Sequence, residues 1–326
     1  MGSVWQRNPR YSVFIFVVLA CTLYLLGPYQ ASAPPFSSMR GLPRGNDLPS
    51  RLARSERIYN KLLVDRKGLI KKFGPKPKDI ALFPPGVKPW PAYTVWDFFP
   101  AAYNCPHEVQ RLGALGDGGK WICGLSRVEK KPDCVVYSVG INYESSFEAE
   151  ILSNTQGCQV WGYDSTVSSF GPQVGAEHAS RTHFQPYGLA ATDKSDDTPK
   201  MYSLESLMKM NGHTHIDILK MDIERLEFET LAAIIKPYLA SGRPLPFGQL
   251  QLEVHVWNMT FEEYLTWWEM LEAAGLRPFW TEPNLVYQNY NRDGSTDLAE
   301  YSFLNTKGSN VFIKDPIDHS KQPRDS

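Results

Sequence analysis

From residue 134 onward, short apolar runs alternate with stretches of helical spacing, and this alternation limits the fold of the 326-residue chain more than any other feature. The strand-like runs are Cys134–Ile141, Gln159–Tyr163, His183–Leu189, Ile216–Ile223 and Leu250–Val256, with Arg277–Trp280 and Tyr301–Asn305 as candidates for the last strands. Between them, Ser145–Thr155, Leu204–Met210, Leu226–Leu239 and Phe261–Ala274 carry apolar residues three and four apart, and Gly275 supplies a carboxyl-terminal cap. Strands this apolar are buried on both faces, which calls for a mostly parallel sheet covered by helices on each side. Right-handed crossovers then give a doubly wound, Rossmann-like α/β domain, expected over residues 105–315. In such folds ligands bind outside the carboxyl ends of the strands, where the strand order reverses.

The residues at those ends are therefore the first candidates. The first strand closes with Ser138-Val139-Gly140-Ile141-Asn142, and Gly140 lets the backbone turn sharply beside a ligand. The chain has neither the G-x-G-x-x-G dinucleotide pattern nor a phosphate-binding P-loop. Asp164 ends the second strand, 24 residues after Gly140, where a carboxylate can accept from both hydroxyls of an adenosine ribose. The fourth strand carries Asp217-Ile218-Leu219-Lys220-Met221-Asp222-Ile223-Glu224. Alternation puts Lys220, Asp222 and Glu224 on one face, and charges there must be paired or put to use. Glu253 and His255 share a face at the end of the fifth strand. Together these offer a general-base cluster or a set of oxygen ligands for a hard metal, and no metal is assigned. Trp267 and Trp268 have the helical spacing of core residues, whereas Tyr287–Tyr290 could line an acceptor cleft or simply sit in a loop.

The amino-terminal part is organised differently. Residues 11–26 are uncharged and almost wholly apolar, with Arg7 and Arg10 before them and Gly27-Pro28 after. About 20 residues span an average bilayer, so this run suits a thin membrane as an uncleaved signal anchor. That places residues 1–27 as tail and anchor of a single-pass type II protein of the Golgi or endoplasmic reticulum; Ala31-Ser32-Ala33 keeps cleavage and secretion as the alternative. Residues 28–104 hold twelve of the 25 prolines up to position 100 and read as a stem, with a tail expected at 316–326. Residues 40–78 carry a net charge of +9 against −12 for residues 79–326, so the overall −1 hides a basic stem ahead of an acidic domain. That balance argues against a nucleic-acid partner and leaves either a solvated basic helix or a contact with anionic lipid or an acidic partner. Within the stem, residues 50–73 have helical spacing; such a helix is marginal alone, and packing on the domain would support it. Cys105, Cys123, Cys134 and Cys158 allow three pairings or four buried thiols, and no C-x-x-C spacing suggests zinc. Asn258-Met259-Thr260 is a glycosylation sequon if it faces a lumen.

The strand-end pattern resembles the FkbM-type class I methyltransferases, and more closely their membrane-anchored animal relatives. The family's D-x-G-x-N motif matches at Gly140 and Asn142 but has Ser138 for the acid. Its acidic second-strand end matches at Asp164. Its D-l-l-K-x-D-x-E-G-x-E segment matches Asp217–Glu224 and Glu227, with Arg225 in place of the glycine. Its E-x-H matches Glu253 and His255, and Asp117–Cys123 looks like the anchored branch. The resemblance covers about residues 105–310. It implies an S-adenosylmethionine-dependent methyltransferase sheet, with Gly140, Asn142, Asp164 and Asp222 toward the cofactor. It also implies transfer to a hydroxyl of a glycan, lipid or small molecule, with His255 as base and Asp222 or Glu253 orienting it. Two other readings stand beside it. One is a type II glycosyltransferase using Asp222-Ile223-Glu224 as a D-x-E metal motif. The other is a non-catalytic protein that keeps the fold, suggested by Ser138 and Arg225.

Overall fold

The computed structural model describes residues 45–84, 92–290 and 296–315; the expected anchor at 11–27, the start of the stem and the tail at 316–326 lie outside these residues. Among the described residues no helix is long and apolar enough to cross a membrane. Helix α1 spans Leu48–Phe73, and strands β1 (Val109–Leu112) and β2 (Lys120–Cys123) form an antiparallel pair. There follow β3 (Val135–Val139), α2 (Ser146–Asn154), β4 (Gln159–Tyr163), β5 (Thr182–Gln185), β6 (Gly188–Leu189), β7 (Met201–Tyr202), α3 (Leu204–Asn211) and β8 (Ile216–Met221). The chain continues with α4 (Leu226–Ser241), β9 (Phe247–His255), α5 (Phe261–Ala274), β10 (Leu276–Pro283), α6 (Leu285–Tyr290) and β11 (Leu298–Asn305).

Seven strands make the central sheet in the order β10-β11-β9-β8-β3-β4-β5. β9, β8, β3, β4 and β5 run parallel, while β11 lies antiparallel between β9 and β10. The doubly wound expectation holds, with an antiparallel edge. From β3 the chain builds outward through β4 and β5, then returns to place β8 on the other side of β3, so the order reverses between β3 and β8. Two strand expectations are corrected. The run His183–Leu189 is not one strand: β5 stops at Gln185, Pro186 has no N–H for a ladder, and Gly188–Leu189 pairs with β7 in a separate sheet. The fourth strand ends at Met221 rather than Ile223, because Glu224 and Arg225 take positive φ values of 44° and 77° and turn the chain into α4. Asp222 and Glu224 therefore do not alternate along a strand.

Both faces of the sheet are covered. Tyr137, Val139, Leu219 and Met221 join the larger core with Leu231 and Ile235 of α4 and Trp268 and Leu271 of α5. Val136, Val160 and Ile218 join a second core with Phe147, Ile151 and Leu152 of α2. Trp267 and Trp268 are buried, as their spacing implied. The basic helix α1 is part of this packing rather than a free stem. Tyr59 belongs to the second core, and Arg66 is buried with it. Glu272 of α5 accepts from the Tyr59 hydroxyl, from Trp268 Nε1 at 2.9 Å and from Arg66 Nη2 and Nη1 at 2.8 and 3.0 Å. Arg66 Nε reaches the carbonyl of Phe98 at 2.7 Å, and Val95, Phe98 and Phe99 are themselves fully buried. The amino-terminal segment thus completes the core, and its lysines and arginines are mostly left on the outer face of α1. The four described cysteines are paired as Cys105–Cys123 and Cys134–Cys158, which selects one of the three pairings over free thiols.

The switch point is a knot of backbone contacts. Gly140 has φ +79°, and a Cβ there would lie 1.8 Å from the carbonyl oxygen of Asp222. Gly140 N donates to Tyr163 O at 3.0 Å, Asp222 N donates to Val139 O at 3.0 Å, and Lys220 Nζ donates to Gly140 O. Asp164 closes the turn from the β4 side. Its Oδ2 accepts from Ile141 N at 2.7 Å and Asn142 N at 2.9 Å, and its Oδ1 accepts from Thr166 N at 2.7 Å and Thr166 Oγ1 at 2.6 Å. Burial alone would raise the Asp164 pKa, but these donors outweigh it and hold the carboxyl below the usual carboxylate range.

Two expectations follow. Replacing Arg66 with alanine leaves the largely shielded Glu272 without its cation and should cost about 3–5 kcal/mol in urea unfolding, whereas a helix lying loosely beside the domain would show no change. Asp164→Asn deprives at least one backbone N–H of its acceptor and should cost about 1–3 kcal/mol at pH 6. Because the folded-state pKa is depressed, the carboxylate's stabilisation is complete above the unfolded value near 3.9 and fades as pH falls through the folded value. The gap between wild type and variant should therefore shrink in unfolding titrations at pH 3, and a gap independent of pH would contradict the role given to this carboxylate.

Candidate active site

The order of strands fixes the order of side chains along one cleft of about 820 Å³. Asp164 follows β4, Gly140 and Asn142 follow β3, Asp222 follows β8, and Glu253 and His255 close β9. All six residues singled out from the sequence line this cleft. Asp117, Gly118 and Lys120 from the β1–β2 pair, Trp257 after β9, Asn284 just before α6 and Tyr287 within it line it as well. Asp164 is placed as expected, yet all four of its acceptor positions are taken by the chain's own donors, so in this conformation it holds the Gly140 turn.

The far half of the cleft is crowded with carboxylates that share few cations. Glu253 is 3% exposed and accepts from Asn284 Nδ2 at 2.9 Å. Burial, and then the charges of Asp222 and Glu300 beside it, push its pKa up to about 10, so it is protonated at neutral pH. Asp222 stays ionised: burial opposes this, but Lys120, Lys220, a hydrogen bond with Glu253 and the nearby His255 hold its pKa down. Lys120 is buried and ion-paired with Glu300. The ligand atoms of Asp222, Glu253 and His255 lie within 4.8 Å of one another, as do those of Asp117, Glu253 and Glu300. Lys120 and the proton on Glu253 already balance much of this charge, so the clusters by themselves carry no metal assignment. Glu224 is exposed and belongs to neither group, so Asp222-Ile223-Glu224 does not form such a cluster among the described residues.

His255 is oriented by a residue other than those expected. Glu227, fully buried at the start of α4, accepts from His255 N at 2.8 Å and faces His255 Nδ1 at 3.1 Å. Because this oxygen is an acceptor, the contact assigns a proton to Nδ1 and leaves Nε2 as the basic nitrogen of the neutral ring. Burial would lower the His255 pKa, but the hydrogen bond and charge of Glu227, with Asp222 and Glu224 behind it, raise it above the ordinary value. The expected orienting groups, Asp222 and Glu253, are near the ring but do not hold it.

The two departures from the family motif have local answers. Ser138 is fully buried and donates to Glu148 of α2, also fully buried, with Lys220 Nζ 4.0 Å from the same oxygen. A carboxylate is thus supplied behind the Gly140 turn from the helix instead of the strand. The signal was legible: Glu148 lies beside Phe147 and three residues before Ile151 on the buried face of α2. Arg225 sits at φ +77°, a conformation that favours glycine, which accounts for glycine in the motif. Lys120, Asn284 and Glu300 carry no spacing signal that ties them to the cleft, since they arrive from separate elements.

A family model described as a methyltransferase domain matches residues 86–295. Two curated relatives are named "Probable methyltransferase-like protein 24". The protein of Homo sapiens is 26% identical over 148 residues, covering 42% of this chain and 37% of its own length. That of Rattus norvegicus is 28% identical over 149 residues, covering 43% and 38%. The match thus spans under two-fifths of either relative. Among solved structures, methyltransferase FkbM from Methylobacillus flagellatus KT is 15% identical with a TM-score of 0.31, covering 53% of this chain and 44% of that one. The Methanococcus jannaschii fibrillarin pre-rRNA processing protein is 11% identical with a TM-score of 0.30, covering 55% and 69%. Likeness of that degree bears on neither mechanism nor substrate. The family match, by contrast, takes in well over half of the chain together with Gly140, Asp164, Asp222, Glu253 and His255, and the chain belongs to the methyltransferase-domain family.

Proposed function

We propose that the protein is an S-adenosylmethionine-dependent methyltransferase that acts on a hydroxyl of a glycan, lipid or small molecule in the secretory pathway. One observation carries this reading: the Gly140 turn and Asp222 meet at the point where the strand order reverses, inside a single cleft that ends at an oriented histidine. The cleft suits the cofactor in size, since sites for ligands of this class run to roughly 300–1,000 Å³. It also suits the cofactor in charge, because the ionised Asp222 and the acidic Asp117 and Glu224 favour a cationic donor. Gly140 and Asn142 would hold the adenosyl part on the turn that Asp164 fixes, with Asp222 toward the sulfonium. When bound, the cofactor supplies an electrophilic methyl group.

The chain's own residues then have separable tasks. The Gly140 turn and Asp164 shape a rigid floor for the donor. His255 Nε2 receives the proton of the acceptor hydroxyl, while Glu227 fixes the ring and stabilises the imidazolium that forms. Trp257 has its ring 4.8 Å from His255 and 6.5 Å from Tyr287, an aromatic border for an acceptor. The two disulfides support an oxidising compartment, in keeping with the anchor read from residues 11–27.

The folded full-length chain should bind S-adenosylmethionine by calorimetry, and absence of binding would sink the assignment. With radiolabelled cofactor and a pool of glycan and lipid acceptors, His255→Ala should lower kcat by about 10²–10⁴-fold while cofactor affinity stays within a few-fold. Turnover should rise with pH through a point above the ordinary histidine value of about 6.5. Glu227→Gln should move that point downward, because the charge that raises it is gone; an unmoved profile would argue for another base.

A further inference from the structure

We propose that Asn258 carries an N-linked oligosaccharide rooted on the rim of the cleft. Asn258-Met259-Thr260 is the single Asn-X-Ser/Thr triplet in the sequence. It forms the link between β9, which ends at His255, and α5, which begins at Phe261. The link is fixed on both sides of the asparagine. Met259 packs against the larger core, and Thr260 caps α5 by accepting from Glu263 N at 3.2 Å. Asn258 between them is exposed, and its side chain makes no hydrogen bond among the described residues. Its φ of +53° lies in the left-handed region, which asparagine enters more readily than other residues with a side chain. The geometry therefore projects a free amide outward from a rigid base, one residue from Trp257 of the cleft wall.

A second, independent observation concerns the compartment. All four described cysteines are joined in disulfides, the state that persists in the lumen where oligosaccharide transfer takes place. The inference rests on the secretory location given under the proposed function, and not on methyl transfer. The donor required is a lipid-linked diphosphate oligosaccharide. The bond between Asn258 Nδ2 and the sugar's anomeric carbon forms, the bond from that carbon to the diphosphate oxygen breaks, and one amide proton is lost as the lipid diphosphate departs. No oxidation or reduction is involved. A glycan at this place sets a hydrophilic bulk beside Trp257, so a large acceptor approaches the cleft from the side away from the β9–α5 link.

The test is expression of the full-length chain in animal cells. Treatment with peptide N-glycosidase should lower the apparent mass of the wild type and of Thr260→Ser, which keeps both the sequon and the helix cap, and should convert Asn258 to aspartate in its peptide by mass spectrometry. Asn258→Gln should show no shift. Protease protection in sealed microsomes reports the location separately. A protected domain with no shift overturns the proposal while the location stands, and an unprotected, unshifted domain overturns both. A shift that survives in Asn258→Gln also overturns it. Binding of S-adenosylmethionine by the same preparations reports on the methyltransferase reading by itself.

Discussion

The cleft depends on the contact between the Gly140 turn and the backbone of Asp222. Three parallel strands end there, and each is tied to its neighbour by a hydrogen bond at the last residue or just beyond it: Gly140 N to Tyr163 O, and Asp222 N to Val139 O. A side chain at position 140 would drive its Cβ to 1.8 Å from Asp222 O, so the sheet can close at this point only around glycine. Asp164 adds a carboxylate that gathers four donors from two loops. Because the backbone of Asp222 is fixed in this way, its side chain has a fixed place beside Glu253 and His255. The order of groups along the cleft is thus a consequence of strand order and not of loop geometry.

Charge is distributed along the cleft by the same constraint. Parallel strands end side by side, so carboxylates at successive ends are forced together, and burial prevents all of them from ionising. The conflict is settled unequally: Asp222 faces Lys120 and Lys220 and keeps its charge, while Glu253 faces Asp222 and Glu300 and keeps a proton. Glu227 stands apart from this group, reserved for the backbone and ring of His255. The result is one ionised carboxylate, one neutral one and one oriented imidazole within a short distance, which are three distinct chemical roles from three groups.

How much of this was legible in the sequence follows from the range of the interactions. Period and spacing are local, and they located the parallel strands, the helices between them and the glycine and acids at the strand ends. Where a local rule competes with a tertiary contact, the sequence misleads. Alternation along Asp217–Glu224 predicts one shared face for Asp222 and Glu224, but positive φ at Glu224 and Arg225 ends that pattern after Met221. The basic, proline-flanked segment of α1 has the composition of a stem, yet Tyr59 and Arg66 are held by Glu272, more than 200 positions away in the chain. The partner of His255 was hidden for a similar reason. Glu227 lies in a helix and His255 in a strand, and nothing in their separation of 28 residues says that they meet.

Ser138 and Arg225 are the departures that make a merely fold-retaining protein conceivable, and the structure shows what each entails. Ser138 keeps a hydroxyl pointed at Glu148, so the negative charge that the motif's acid would provide stays behind the Gly140 turn, near Lys220. Without that carboxyl group the buried Lys220 would have one partner fewer and would rely on Asp222 for its countercharge. At Arg225 the backbone bears a left-handed conformation at a cost of roughly 1–2 kcal/mol, a local penalty that a domain with two cores can absorb. Neither substitution touches the Gly140–Asp222 contact, the Asp164 turn or the Glu227–His255 pair. The features that give the cleft its shape and its base are therefore independent of the two positions at which the motif is broken.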